Sequence, residues 1–120
     1  MARLALRYLN RLDLPLRSGD EFRRFLTSSP ELPEGAPQRV RGFLSRIIAR
    51  DESGATAVVT QKLDPADGFP VTVIVDVDVF FLEELGTHSE DLHRFLEMLR
   101  NVKNRTFFAL LTEEAVKLYQ

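Results

Sequence analysis

The run at 69–81, FPVTVIVDVDVFF, constrains this chain more than any other stretch. It is dense in valine, and β-branched side chains favour the extended backbone. Successive strand residues point to opposite faces. Val71, Val73, Val75, Val77 and Val79 therefore share one face, and Thr72, Ile74, Asp76, Asp78 and Phe80 share the other. The first face is wholly apolar and has to be covered. The second carries two carboxylates among apolar residues. One-sided burial of this kind fits an antiparallel sheet better than a parallel one.

The chain before this run supplies its partners. Residues 3–14 alternate cleanly, with Leu4, Leu6, Tyr8, Leu12 and Leu14 on one face and Asn10 as the exception. Arg3, Ala5, Arg7, Leu9, Arg11 and Asp13 fall on the other face, and Pro15 ends the strand. Ser18 and Glu21 have the spacing of a capping box, and Phe22, Phe25 and Leu26 then mark the buried side of a short helix over 19–27. Pro33, Gly35 and Pro37 make 31–37 a loop. A second strand is expected over 38–50, bending near Gly42, with Phe43 and Ile47 on one face and Val40, Leu44 and Ile48 on the other. Asp51-Glu52-Ser53-Gly54 reads as a hairpin turn, 55–63 as the third strand, and 64–68 as a second turn.

A connector over 82–88 leads to a long helix over 89–110. Ser89 is its candidate N-cap, and Glu90 and Asp91 suit the positive end of its dipole. Its apolar stripe is Leu92, Phe95, Leu96, Leu99, Val102, Thr106, Phe107 and Leu110. Thr112 can cap a last short helix over 113–119. The expected fold is α+β: a four-stranded antiparallel sheet with the helices on one face, in a single domain over 1–120. Short turns make strands two to four neighbours. The fourth is the most apolar and lacks edge protection, so it should be central, with the first strand beside it. The predicted order is 1-4-3-2.

Composition bounds the function. Without cysteine there is no thiol nucleophile, disulfide or thiolate metal site, which fits a reducing cytoplasm. The N-terminus lacks the pattern of a signal peptide, and no apolar run approaches the roughly 20 residues of a membrane span. Residues 1–50 hold ten Arg against five acids, whereas 51–120 hold six Lys or Arg against thirteen acids. The halves are expected to pair across one fold. A pI near 5.7 speaks against bulk nucleic-acid binding.

Asp76 and Asp78 share a face at a Cα spacing of roughly 7 Å, set by strand geometry. Two carboxylates could hold a cation or act as acid and base. Hard cations want more oxygen ligands than two, so ion pairs with Arg7 and Arg11 are the expected role, and no metal or cofactor is expected. Arg7 and Arg11, with Asn10 beside them, could otherwise clamp a phosphate or carboxylate. Arg39, Arg41, Arg46 and Arg50 make the second strand basic, but only Phe43 there could stack on a base. His88 and His93 read as surface residues, with no nucleophile placed near them by a motif. Lys103-Asn104-Arg105 reads as a solvated helix end, and Phe107-Phe108 as one core ring and one edge ring.

Three stretches taken in order carry a family likeness: LALRYLNRLDLP at 4–15, VIVDVDVF at 73–80, and FLEMLRNVKNRTFFALLTEEAVKLY at 95–119. Their marker residues are Arg7, Tyr8, Asn10, Arg11, Asp76, Asp78, Phe80, Lys103, Asn104, Phe107, Phe108, Thr112 and Glu113. The set resembles the C-terminal half of a sporadically distributed prokaryotic family of unknown function. The resemblance implies no activity that can be carried over. Members of that family have a further N-terminal half, so the expectation is a short relative or a fragment, with a normally covered surface left open.

These readings lead to a non-enzymatic interaction or self-association domain. Its expected face is Leu9, Phe43, Ile47, Ile74 and Phe80, and its expected partner another protein or a second copy. The alternatives are a small-ligand module with a cavity of a few hundred Å³ between long helix and sheet, and a nucleic-acid-binding half-saddle. The last rests on a fold-level likeness to half of a TATA-binding-protein-like saddle, an analogy that says little about function.

Overall fold

The computed structural model describes residues 4–15, 19–28, 30–38, 40–64, 71–81 and 89–118. Arg3, Ser18, Arg39, the turn residues 65–68, Phe69, the connector 82–88 with His88, and Tyr119 lie outside the described residues, as do the side chains of Glu21, Ser89 and Glu90. The elements are β1 (Ala5–Leu14), a 3-10 helix (Gly19–Arg24), β2 (Phe43–Arg50), β3 (Thr56–Leu63), β4 (Val71–Phe80), α1 (Ser89–Ala109) and α2 (Glu113–Leu118).

The four strands form one antiparallel sheet in the order β1-β4-β3-β2. The valine face of β4 is the floor of the core, and all five valines are fully buried. Across the sheet, Val73 aligns with Leu12 on β1 and with Leu63 on β3, both buried. Leu99 and Val102 of α1, with Phe107, are buried in the same core. The stripe along α1 is turned slightly from the expected one. Phe95, Met98, Leu99 and Val102 face the core, while Leu96 stays half-buried and Leu92 is exposed.

Local chemistry explains the element ends. Phe22 and Phe25 are buried as expected, but the helix around them is a 3-10 helix that stops at Arg24. The next residues are taken up by backbone pairing. Leu26 bridges Leu111, Thr27 donates its N–H to the Leu110 carbonyl at 2.9 Å, and Thr112 donates its N–H to that of Phe25 at 3.0 Å. The Thr112 hydroxyl accepts the Ala115 N–H at 3.2 Å, which caps α2. It also donates to the Arg24 carbonyl at 2.6 Å, and Arg24 pairs with Glu114 at 2.6 Å. This clasp ties the segment after the 3-10 helix to the segment joining α1 and α2, and it had no periodicity to announce it.

The β2–β3 turn closes with the Asp51 N–H on the Ala55 carbonyl at 2.8 Å and the Gly54 N–H on the Asp51 carbonyl at 2.9 Å. Gly54 has a φ of 93°, a left-handed conformation that glycine adopts without steric cost. The Asp51 carboxylate accepts the Ser53 N–H at 3.0 Å and an Arg105 guanidinium N–H at 3.0 Å. The bonds to Ser53, with help from Arg105, hold that carboxyl below the usual aspartate range. β2 begins at Phe43, immediately after Gly42, rather than near Gln38.

Candidate interaction surface

Pairing register decides which residues share the uncovered side of the sheet. Four cross-strand rows line it: Ala5, Phe80, Thr56 and Arg50; Arg7, Asp78, Val58 and Ile48; Leu9, Asp76, Thr60 and Arg46; Arg11, Ile74, Lys62 and Leu44.

Arg7 sits directly across from Asp78 but bonds diagonally to Asp76. Its Nε donates at 3.0 Å and an Nη at 2.7 Å, a two-pronged contact. The guanidinium stands at the end of a long stem and reaches the diagonal neighbour, which lies within range of long side chains on a sheet. The same contact raises the Arg7 pKa above its ordinary value. The rest of the expected cluster does not assemble. Arg11 turns to Asp13 on its own strand at 3.4 Å. Asp78 makes no hydrogen bond or ion pair among the described residues. Asn10 belongs to the helix-covered side, aligned with Val75, and its side-chain amide donates to the Tyr8 hydroxyl at 3.4 Å.

The expected interaction face needs the same correction. Phe43 aligns with Leu63 and Val73, so it lies on the covered side, where its ring meets Phe22 at 5.1 Å. Ile47 aligns with Val59 and Val77 and is on that side too. Phe80 faces the uncovered side but is buried. Leu9, 62% exposed, and the half-buried Ile74 keep their expected places. The residues that replace Phe43 and Ile47 on the uncovered side are Leu44, 70% exposed, and Ile48, 69% exposed. Starting β2 after Gly42 leaves the alternation of 43–50 as read, so the slip was in matching its faces to those of β4. The signal available in the sequence was the turn at 51–54, whose closing pair fixes the register of the whole hairpin.

β2 is therefore unusual within the molecule. It is an edge strand, with no strand beyond it among the described residues. It exposes Leu44 and Ile48 on one side and Ile47, 51% exposed, on the other. α1 packs over β1 and β4 and leaves much of β2 uncovered. The backbone at this edge can be assigned from the turn. The Asp51–Ala55 pair is hydrogen-bonded, and bonded pairs recur every second residue of an antiparallel ladder. Ala49, Ile47 and Ser45 thus spend their N–H and C=O groups on β3. Leu44, Arg46, Ile48 and Arg50 turn theirs outward.

The described grooves lie elsewhere. One of about 560 Å³ runs beside α1, lined by Asp51, Met98, Asn101 and Arg105 among others. Its arginines are already matched: Arg94 to Asp91 at 3.8 Å, Arg100 to Glu97, and Arg105 to Asp51. A second of about 330 Å³ lies between the end of α1 and α2 at Phe108, Leu111 and Val116. A third of about 530 Å³ lies at the clasp, around Arg23, Thr27 and Thr112. His93 is exposed, and no group of three or more His, Asp or Glu among the described residues could hold a metal. Lys103, Asn104 and Arg105 lie inside α1 rather than in its last turn; Asn104 and Arg105 are exposed as expected, while Lys103 stands over the Tyr8 ring at 5.3 Å and Arg105 pairs with Asp51. Phe107 is buried and Phe108 is 57% exposed, one core ring and one edge ring.

No described helix is long and apolar enough to cross a membrane. Comparison of the chain with protein-family models, curated proteins and solved structures yields no match.

Proposed function

We propose that this chain is a non-enzymatic protein-interaction domain that engages its partner through β2. One observation carries the reading: an edge strand with an outward-turned backbone and exposed branched residues on both sides. Soluble proteins usually shorten, cover or break such an edge, because it templates pairing with another chain. The burial of Leu99, Val102 and Phe107 in one cluster with the valines favours this reading over a ligand cavity beneath α1; the groove beside α1 reaches that interface only at Met98 and Val102, and the other two described grooves lie away from it.

The test is affinity capture from cells of the native host together with sedimentation across a wide concentration range. Wild type is compared with an Ile47→Lys, Ile48→Glu double variant. A partner, or a self-associated form, present with wild type and lost with the variant is the expected result. A strict monomer that captures the same proteins with and without the two substitutions would overturn it.

A further inference from the structure

The charges on β2 narrow the partner, if β2 is the docking edge proposed above. Its outward row alternates Leu44, Arg46, Ile48 and Arg50, all exposed. Most cations described elsewhere on the surface have a carboxylate partner: Arg7, Arg11, Arg24, Lys62, Arg94, Arg100 and Arg105. Arg46 and Arg50 make no ion pair among the described residues, and the stretch 38–50 contains no acid. The nearest carboxylate in Arg46's own cross-strand row is Asp76, two strands away at roughly 10 Å by sheet spacing, and Arg7 already holds it.

We infer that the free edge of β2 takes up an extended acidic segment of a partner protein as a fifth strand. Its carboxylates lie across from Arg46 and Arg50, and its apolar residues across from Leu44 and Ile48. Main-chain bonds from the four outward residues supply affinity, and the alternate side chains supply selectivity. Opposite charges across a strand pair stabilise it, and like charges oppose it. A second copy of β2 would bring two more arginines and no acid to the seam, so the same residues that welcome an acidic strand discourage self-pairing. β1, the other edge, presents Arg7 and Arg11 on this side and is no better matched.

The probe is a synthetic peptide of sequence Glu-Thr-Val-Thr-Glu-Thr-Val-Thr, capped at both ends. Laid antiparallel on β2, it puts glutamates across from Arg50 and Arg46 and valines across from Ile48 and Leu44. Its control has lysine in place of both glutamates. Binding to the full chain is followed by backbone amide shifts at low and high salt. The glutamate peptide is expected to move the amides of 44, 46, 48 and 50, to bind about tenfold more tightly than the lysine peptide, and to lose that advantage in high salt. In the R46E/R50E variant the preference should invert. The salt arm gives the same information without any substitution.

Equal binding of both peptides would overturn the acidic partner while leaving β2 as a docking edge. So would self-association abolished by Ile48→Glu without peptide binding, which would make the occupant a second copy. A single-stranded oligonucleotide that moves the same amides where the peptide does not would show that the arginines serve nucleic acid. No shift on β2 from any probe, in a chain that stays monomeric, would remove both this inference and the function it rests on.

Discussion

β4 and β2 both alternate large apolar side chains along an extended backbone, VTVIVDVDVF against FLSRIIAR, and end in opposite environments. Along β4 every second residue is fully buried, whereas along β2 no residue is. The difference is one of address. β4 has a strand on either side and α1 above it, while β2 has one neighbour and little cover. Valine and isoleucine favour the extended backbone in either place. Whether they contribute burial energy depends on what the rest of the chain lays over them.

The comparison breaks first, and most visibly, at the lid over β4. Leu99→Ala should cost about 2–5 kcal/mol in a denaturant melt, the usual range for emptying a buried leucine site. Arg100→Ala beside it, where the side chain is exposed and pairs with Glu97, should be near neutral. A loss under half a kcal/mol for Leu99→Ala would mean that α1 does not seal the valine face.

Val75→Ala tests the floor of the same core. Removing two buried methyl equivalents should cost about 2 kcal/mol, counting transfer and residual cavity together. A smaller loss than at an exposed β2 position would reverse the ranking of the two strands.

Gly54→Ala acts on the hairpin that fixes the register of β2 against β3. Nothing stands within 4 Å of an added Cβ, so only the left-handed backbone is penalised. The expected loss is about 1–2 kcal/mol, read by thermal or denaturant unfolding. An unchanged midpoint would show that the turn does not hold the strand.

On the uncovered side of β4, Asp76 is well shielded and Arg7 is not, with side-chain exposures of 17% and 61%. Removing Arg7 alone should therefore hurt more than removing both, because the shielded carboxylate is left unpaired. A double-mutant cycle on Arg7 and Asp76 should return a positive coupling smaller than the losses at Leu99, Val75 and Gly54. A cycle on Arg7 and Asp78 should return less. Equal couplings would mean that the diagonal contact is not the one that matters in solution.

The smallest effect is expected on β2 itself. Ile48→Thr should stay within about 0.5 kcal/mol of wild type, because the side chain is largely in water and threonine keeps the β-branch. A large loss would show that Ile48 is covered in the isolated chain and is not available to a partner.

Much of this architecture could be read from the residues. The alternation in β1 and β4, the turn chemistry at 51–54 and the periodicity of α1 each state a local geometry. Together they gave the order β1-β4-β3-β2 and the side on which the helices lie. The site was less legible. That Arg7 would meet a β4 carboxylate followed from the two faces, but the choice of Asp76 over Asp78 did not. It depends on how far a guanidinium reaches along a twisted pair of strands. Arg11 was expected to share the cluster, yet Asp13 two residues away on the same face offered a closer partner.

What this sequence determined by itself is the set of elements and their faces, because backbone preference and side-chain alternation are properties of neighbouring residues. What only the tertiary structure decided is which of those faces meet. Phe43 and Ile47 belong with the valines because the β2–β3 and β3–β4 registers carry them there. The clasp between residues 24–27 and 109–114 exists because two distant segments leave the core side by side. Leu44 and Ile48 remain in water because the registers turn them to the side of the sheet away from α1, and Ile47, on the α1 side, stays half in water because α1 packs on β1 and β4. These outcomes are long-range pairings, and no window of sequence contains both partners of such a pair.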